Sequence, residues 1–202
     1  VDAAARLNPA RLPVGTLLIC AIAGAVYSSP QLQALLIYDR TAISDGELWR
    51  LMSGNFVHHS ASHFVYNLVP LLIAGLLIEI QRHRHFVALC LISGALIGAA
   101  LYLGKPEITV FGGLSGIVTA AVTFLCLHGL DKAGAWRWLC LAILIILAAK
   151  IGAETAFGSS FLLGAGPQNF VPIPESHVTG AATALLLFLW TKYKSLRRAA
   201  AS

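Results

Sequence analysis

Phe111-Gly112-Gly113-Leu114-Ser115-Gly116-Ile117-Val118-Thr119 opens one long apolar run of this chain, and Ser176-His177-Val178-Thr179-Gly180 opens another. A serine and a histidine that each begin a membrane helix can share a proton inside a bilayer. The rest of the chain can be read outward from this pair, as the scaffold that would hold it.

Composition sets the class. The 202 residues are 57% apolar and only 11% charged, against about 25% charged in soluble domains. Long uncharged stretches with this deficit predict an all-α polytopic membrane protein in a single domain, 1–202. No small-residue cleavage site follows the first apolar run convincingly, so no cleavable signal peptide is expected. The net charge of +5 is carried mostly between and outside the apolar runs. It reads as a topology signal, and no nucleic-acid partner is expected. Cys20, Cys90, Cys126 and Cys140 lie in separate runs without C-x-x-C spacing, which points to neither a disulfide framework nor a zinc site.

Six helices are expected, at about 12–27, 61–80, 86–103, 114–130, 136–153 and 176–193, giving a six-transmembrane core over about 12–193. With the N-terminus in the cytoplasm, Arg6, Arg11, Arg82, Arg84, Lys132, Arg137, Lys192, Lys194, Arg197 and Arg198 fall inside, and Arg40, Arg50, Lys105 and Lys150 outside. Ten against four puts both termini in the cytoplasm, with 194–202 as a basic tail. The connection 28–60 is too long and too apolar for an ordinary loop. It is expected to fold and to lie partly in the outer leaflet, with Trp49 at headgroup depth and the Arg50 guanidinium free for phosphate.

In this topology the second, fourth and sixth helices all start on the outer side. His63, Asn67, Ser115 and His177 therefore fall at one depth, where polar residues face a shared wet interior rather than lipid. Singly, each has an ordinary reading as packing, interhelical glue or an interfacial side chain. Together they match a chemistry. A serine hydroxyl becomes nucleophilic when a base takes its proton, and His177 can take it and then pass it to the leaving amine. The Ser115 backbone N–H opens a helix and lacks an intrahelical acceptor. His63 and Asn67, spaced i, i+4, share one helix face. All three can donate to an oxyanion. Gly112, Gly113 and Gly116 suit a tight entry, and His177, Gly180 and Ala184 form a small face that lets the sixth helix approach the fourth. Ser115 Oγ is expected within about 2.6–3.2 Å of a His177 ring nitrogen. No acidic third member stands out, since Glu175 points elsewhere on a helical wheel, and the first, third and fifth helices read as scaffold. Glu79, His83, His85 and His128 read as interfacial.

The ordered set resembles the rhomboid family of intramembrane serine proteases. It comprises Trp49-Arg50, then His58, His63 and Asn67 in H-x-x-x-x-H-x-x-x-N, then G-x-S-G at Gly113–Gly116, and H-x-x-G at His177–Gly180. The resemblance implies a rhomboid-like bundle with a partly inserted first loop and a Ser115–His177 catalytic dyad. It implies an oxyanion site from His63, Asn67 and the Ser115 N–H, with His58 structural or water-holding beside it. No cofactor or metal is implied. One position departs: many relatives carry an aromatic four residues after the serine, stacked on the histidine, where this chain has Thr119.

The chain looks most like the bacterial rhombosortase branch, through its compact size, Leu101-Tyr102-Leu103 with Pro106-Glu107, and Lys150-x-x-x-Glu154. That likeness implies a multi-pass protein of the bacterial inner membrane whose site opens to the extracytoplasmic side. Its partners would be the lipid bilayer and membrane-anchored protein substrates with a C-terminal Gly-Gly motif, helix and basic tail. An inactive rhomboid-like protein that binds client helices is the main alternative. His58, His59 and His63 as zinc ligands lack an H-E-x-x-H frame and an acidic fourth ligand. A transporter lacks repeat symmetry and a mid-helix acid.

Overall fold

The computed structural model describes residues 12–83, 85–157 and 173–200. Arg6, Arg11 and Arg84, used in the charge count, lie outside the described residues. The described residues are mostly helical. The elements are α1 Val14–Tyr27, α2 Pro30–Leu36, β1 Tyr38–Asp39, α3 Arg40–Ser44, α4 Arg50–Ser53 with a 3-10 turn Gly54–Phe56, α5 Ala61–Ile80, α6 Phe86–Gly104, β2 Val110–Phe111, α7 Ser115–Gly129, α8 Ala135–Phe157 and α9 Pro174–Ala200.

Long helices stand where the six apolar runs predicted them. By length and apolarity, α5, α6 and α8 are candidate membrane spans and α1 with α2, bent by 106°, a fourth, three or four rather than the six expected. The difference has a physical source. At 15 residues, α7 is about 22 Å long, short of a hydrocarbon layer of about 30 Å. It is instead enclosed by protein, with α5, α6, α8 and α9 packed around it. The last helix is longer than expected and carries Lys192, Lys194, Arg197 and Arg198 in its final turns. There Lys194 Nζ lies 4.0 Å from the centroid of the Trp190 ring.

The connection after α1 folds, as its apolar content predicts. Ser29 caps α2 by accepting from Leu32 N–H (3.3 Å), with Pro30 in the first turn. Asp39 caps α3 through Thr41 and Ala42 N–H at 2.9 and 3.1 Å. β1 pairs antiparallel with β2, Tyr38 opposite Phe111 and Asp39 opposite Val110, which ties this connection to the segment leading into Ser115.

One expectation is corrected here, and two polar residues at helix ends gain partners. Arg50 is buried, not free for lipid phosphate: its Nε pairs with Glu47 at 2.6 Å, and Nη1 donates to the carbonyls of Ala34 and Ile37 at 3.0 and 2.9 Å. The guanidinium thus gathers carbonyls left over at the end of α2. Glu79 reaches back from the end of α5 to accept from Gly15 N–H (3.1 Å), Thr16 N–H (2.7 Å) and the Thr16 hydroxyl (2.5 Å). It caps α1, where an anion meets orphan donors and the positive helix end. His128 likewise turns inward, stacked on His83 at 4.0 Å and edge-on to Phe124 and Phe188 at 4.6 and 4.9 Å.

The core centres on α7. Leu114, Ile117, Ala120, Ala121 and Phe124 are fully buried beside Leu71, Ile78, Leu89, Ile97 and Leu101 from α5 and α6.

Candidate active site

The segment before Ser115 is held on two sides. Gly113 has φ +140°, a backbone region that L side chains avoid. A Cβ there would sit 2.7 Å from Cε1 of His63, so the α5 imidazole packs straight onto the glycine. Beside it, Leu114 N–H donates to His58 Nε2 at 3.4 Å, and His58 Nδ1 lies 3.1 Å from the Phe56 carbonyl. These partners fix the tautomer: Nδ1 carries the hydrogen and Nε2 the lone pair. Burial, with the nearby His63 ring adding to it, pushes the His58 pKa down to about 4. His58 therefore acts here as a neutral clamp on the start of α7.

Leu114 has helical geometry and provides no side-chain cap. The first helical bond of α7 runs from Val118 N–H to the Leu114 carbonyl, 2.8 Å. The N–H groups of Ser115, Gly116 and Ile117 precede it and are the orphan donors of a helix start. On α5, His63 and Asn67 are both buried. One amide hydrogen of Asn67 is spent on the His63 carbonyl at 3.0 Å, which leaves the other for a ligand.

Two glycines set the approach of α9. A Cβ on Gly116 would lie 2.5 Å from Ile97 Cδ1 and 2.7 Å from the Ser176 carbonyl oxygen. A Cβ on Gly180 would run into the Gly116 carbonyl oxygen. Backbone thus meets backbone at the first turns of α7 and α9, the turns that carry Ser115 and His177. Ser115 is half-buried and His177 is 4% exposed. The expected hydrogen bond between them is not formed: among the described residues, the Ser115 hydroxyl has no hydrogen-bond partner. Unliganded sites often show long catalytic contacts that tighten with substrate.

His177 has a partner that the sequence reading did not assign. Its Nδ1 is 2.7 Å from Glu154 Oε2, and the other oxygen of Glu154 accepts from Lys150 Nζ, also at 2.7 Å. Glu154 is 2% exposed. This corrects two expectations, that no acidic residue accompanies the pair and that the fifth helix is only scaffold. The fifth helix was expected to stop near 153, whereas α8 continues to Phe157 and carries Glu154 inside its last turns. The available signal was Lys150-x-x-x-Glu154, an i, i+4 ion pair in an otherwise apolar helix. Glu175 takes a different role, pairing with Lys105 at 2.5 Å. Thr119 is buried one turn beyond Ser115 and, among the described residues, makes no hydrogen bond to His177.

The structure thus brings His58, His63 and Gly113 together, and Gly116 with Gly180. It joins His177 to Glu154 rather than to Ser115. The family model for the Rhomboid domain matches residues 45–194. No curated protein matches the chain. The matched segment runs from α4 through most of α9 and covers most of the chain, which belongs to the rhomboid family.

Proposed function

We propose that the chain is an intramembrane serine endopeptidase with Ser115 as nucleophile and His177 as general base. The observation that carries this reading is the glycine-to-glycine crossing of α7 and α9, which sets the turns of Ser115 and His177 side by side. Ser115 Oγ attacks the scissile carbonyl as its proton passes to His177. The tetrahedral oxyanion is met by the Ser115 N–H, the remaining Asn67 amide hydrogen and the His63 ring, and His177 then protonates the leaving amine. His58 holds the segment that aims Ser115.

In this reading the chain crosses a bacterial inner membrane six times with both termini in the cytoplasm. The first loop, 28–60, is partly inserted, and the site opens to the extracytoplasmic side. The substrate is a membrane helix cut near its outer end, in a protein whose C-terminus carries Gly-Gly, a helix and a basic tail. Lys150 and Glu154 at the site support the rhombosortase-like form of this reading.

Cleavage of a model transmembrane substrate in liposomes tests it. Ser115→Ala and His177→Ala are each expected to abolish cleavage with an unchanged melting temperature. Full activity in either variant overturns the mechanism. A folded wild-type protein that cuts nothing favours the client-binding alternative.

A further inference from the structure

We propose that Glu154, held by Lys150, is a positioning residue that fixes His177 with its hydrogen on Nδ1, so that Nε2 is the atom that takes the Ser115 proton. The proposal rests on the protease reading above and adds a third member from α8.

The geometry argues it in three steps. First, a carboxylate is an acceptor only. With Glu154 Oε2 2.7 Å from His177 Nδ1, the hydrogen is on Nδ1, and the Nε2 lone pair points to the opposite side of the ring, away from α8. Second, the carboxylate is itself held. Lys150 Nζ bonds its second oxygen at 2.7 Å, while the lysine side chain keeps 25% of its surface exposed against 2% for the glutamate. Lys150 can thus draw on water while it holds the carboxylate. Third, the carboxylate is the nearer of the two charged groups at the ring: Glu154 Oε2 lies 2.7 Å from His177 Nδ1 and Lys150 Nζ 3.5 Å from it, so the acid sets the orientation of the imidazole.

Among the described residues, the charged groups around this end of α9 are Glu154 and Lys150 on α8 and Glu175 and Glu107, both paired with Lys105. Glu175 is engaged with Lys105, so Glu154 is the acid that serves the ring. Proton balance is simple: the Ser115 proton moves to Nε2, the Nδ1 hydrogen stays on the imidazole facing Glu154, and Glu154 remains a carboxylate throughout.

A purely structural role is the competing account. A buried ion pair contributes little net stability compared with apolar replacements of similar size, so structure alone gives little reason for an acid at this position. Kinetics separates the two accounts. In purified protein with a model transmembrane substrate, Glu154→Gln is expected to lower kcat by at least roughly 10²-fold, toward the ~10⁴-fold seen on amidating the triad aspartate of soluble serine proteases. KM should stay within about twofold. Glu154→Asp keeps the charge on a shorter arm and should recover at least about a tenfold part of that loss. Lys150→Met, which leaves the Glu154–His177 contact in place, should lower kcat by about tenfold with KM unchanged; it carries the test if Glu154→Gln fails to fold. Wild-type kcat in Glu154→Gln, or in Lys150→Met where Glu154→Gln is unfolded, overturns the proposal. So does an Asp variant no better than Gln. Ser115 labelling by a fluorophosphonate in the wild type distinguishes the levels: a labelled wild type with an indifferent Glu154 sinks only this proposal, and an unlabelled, inactive wild type sinks the protease reading beneath it.

Discussion

α7 and α8 carry the two ends of the proposed relay and are held in opposite ways. Ten of the fifteen residues of α7 are buried, from Gly116 to Gly129. In α8 only Cys140 and Glu154 of 23 are buried. α7 is fixed by packing on every side, so Ser115 inherits its position from the fold. α8 shows most of its surface to the surroundings and turns one acid inward to His177. Substitutions in α7 therefore test the fold, whereas substitutions at Lys150 and Glu154 test the site.

The largest effect is expected at the α7–α9 crossing. Gly116→Leu has no space, with Ile97 and the Ser176 carbonyl already at contact. It should force the two backbones apart, lower the melting temperature and remove activity together; overpacking of this kind costs about 1–3 kcal/mol or more. A folded, active Gly116→Leu protein would break the contrast at its α7 end. On α8 the two readouts should part. The double variant Lys150→Met/Glu154→Leu swaps an ion pair for apolar groups, so thermal stability should stay within about 1 kcal/mol of wild type or rise. Its kcat should nevertheless fall on the order of 10²-fold or more. If stability and activity fell in step, the pair would be a structural contact and no more.

Asn67→Ala should slow turnover by about 10²-fold through a lost oxyanion donor; an unchanged rate removes Asn67 from that role. The smallest effect is a pH dependence of stability from the clamp on α7. The folded pKa of His58 is about 4, below its ordinary 6.5, so the native state binds fewer protons than the unfolded state between those values. The corresponding stability is fully present above about pH 6.5 and is lost as pH falls toward about 4. His58→Gln should flatten melting temperature against pH in that window. An unchanged slope would show that His58 is not held neutral.

The helices were legible because apolar runs bounded by charge and by Gly, Pro and Ser have few other solutions. The expected nearness of His63 to the start of the fourth helix has a counterpart in the packing of the His63 ring on Gly113. Three things were not legible. The β1–β2 pairing involves two residues on each side, too short for a periodic signal. Arg50 was read as interfacial because its partners, the carbonyls of Ala34 and Ile37, come from how α2 ends, which residue types do not encode. Glu154 was noted with Lys150 at the end of the fifth helix, but its contact with His177 depends on how α8 meets α9, which the spacing of one helix does not encode. Thr119 was legible as a departure from the family pattern, but the carboxylate that occupies His177 came into view only when α8 was placed against α9.

The central claim is that Ser115 is a nucleophile activated by His177. Fluorophosphonate labelling followed by peptide mass spectrometry of the folded protein tests it most directly. The account predicts a single adduct on Ser115, absent from Ser115→Ala and strongly reduced in His177→Ala. An adduct elsewhere, or equal labelling of Ser115 with and without His177, would contradict it.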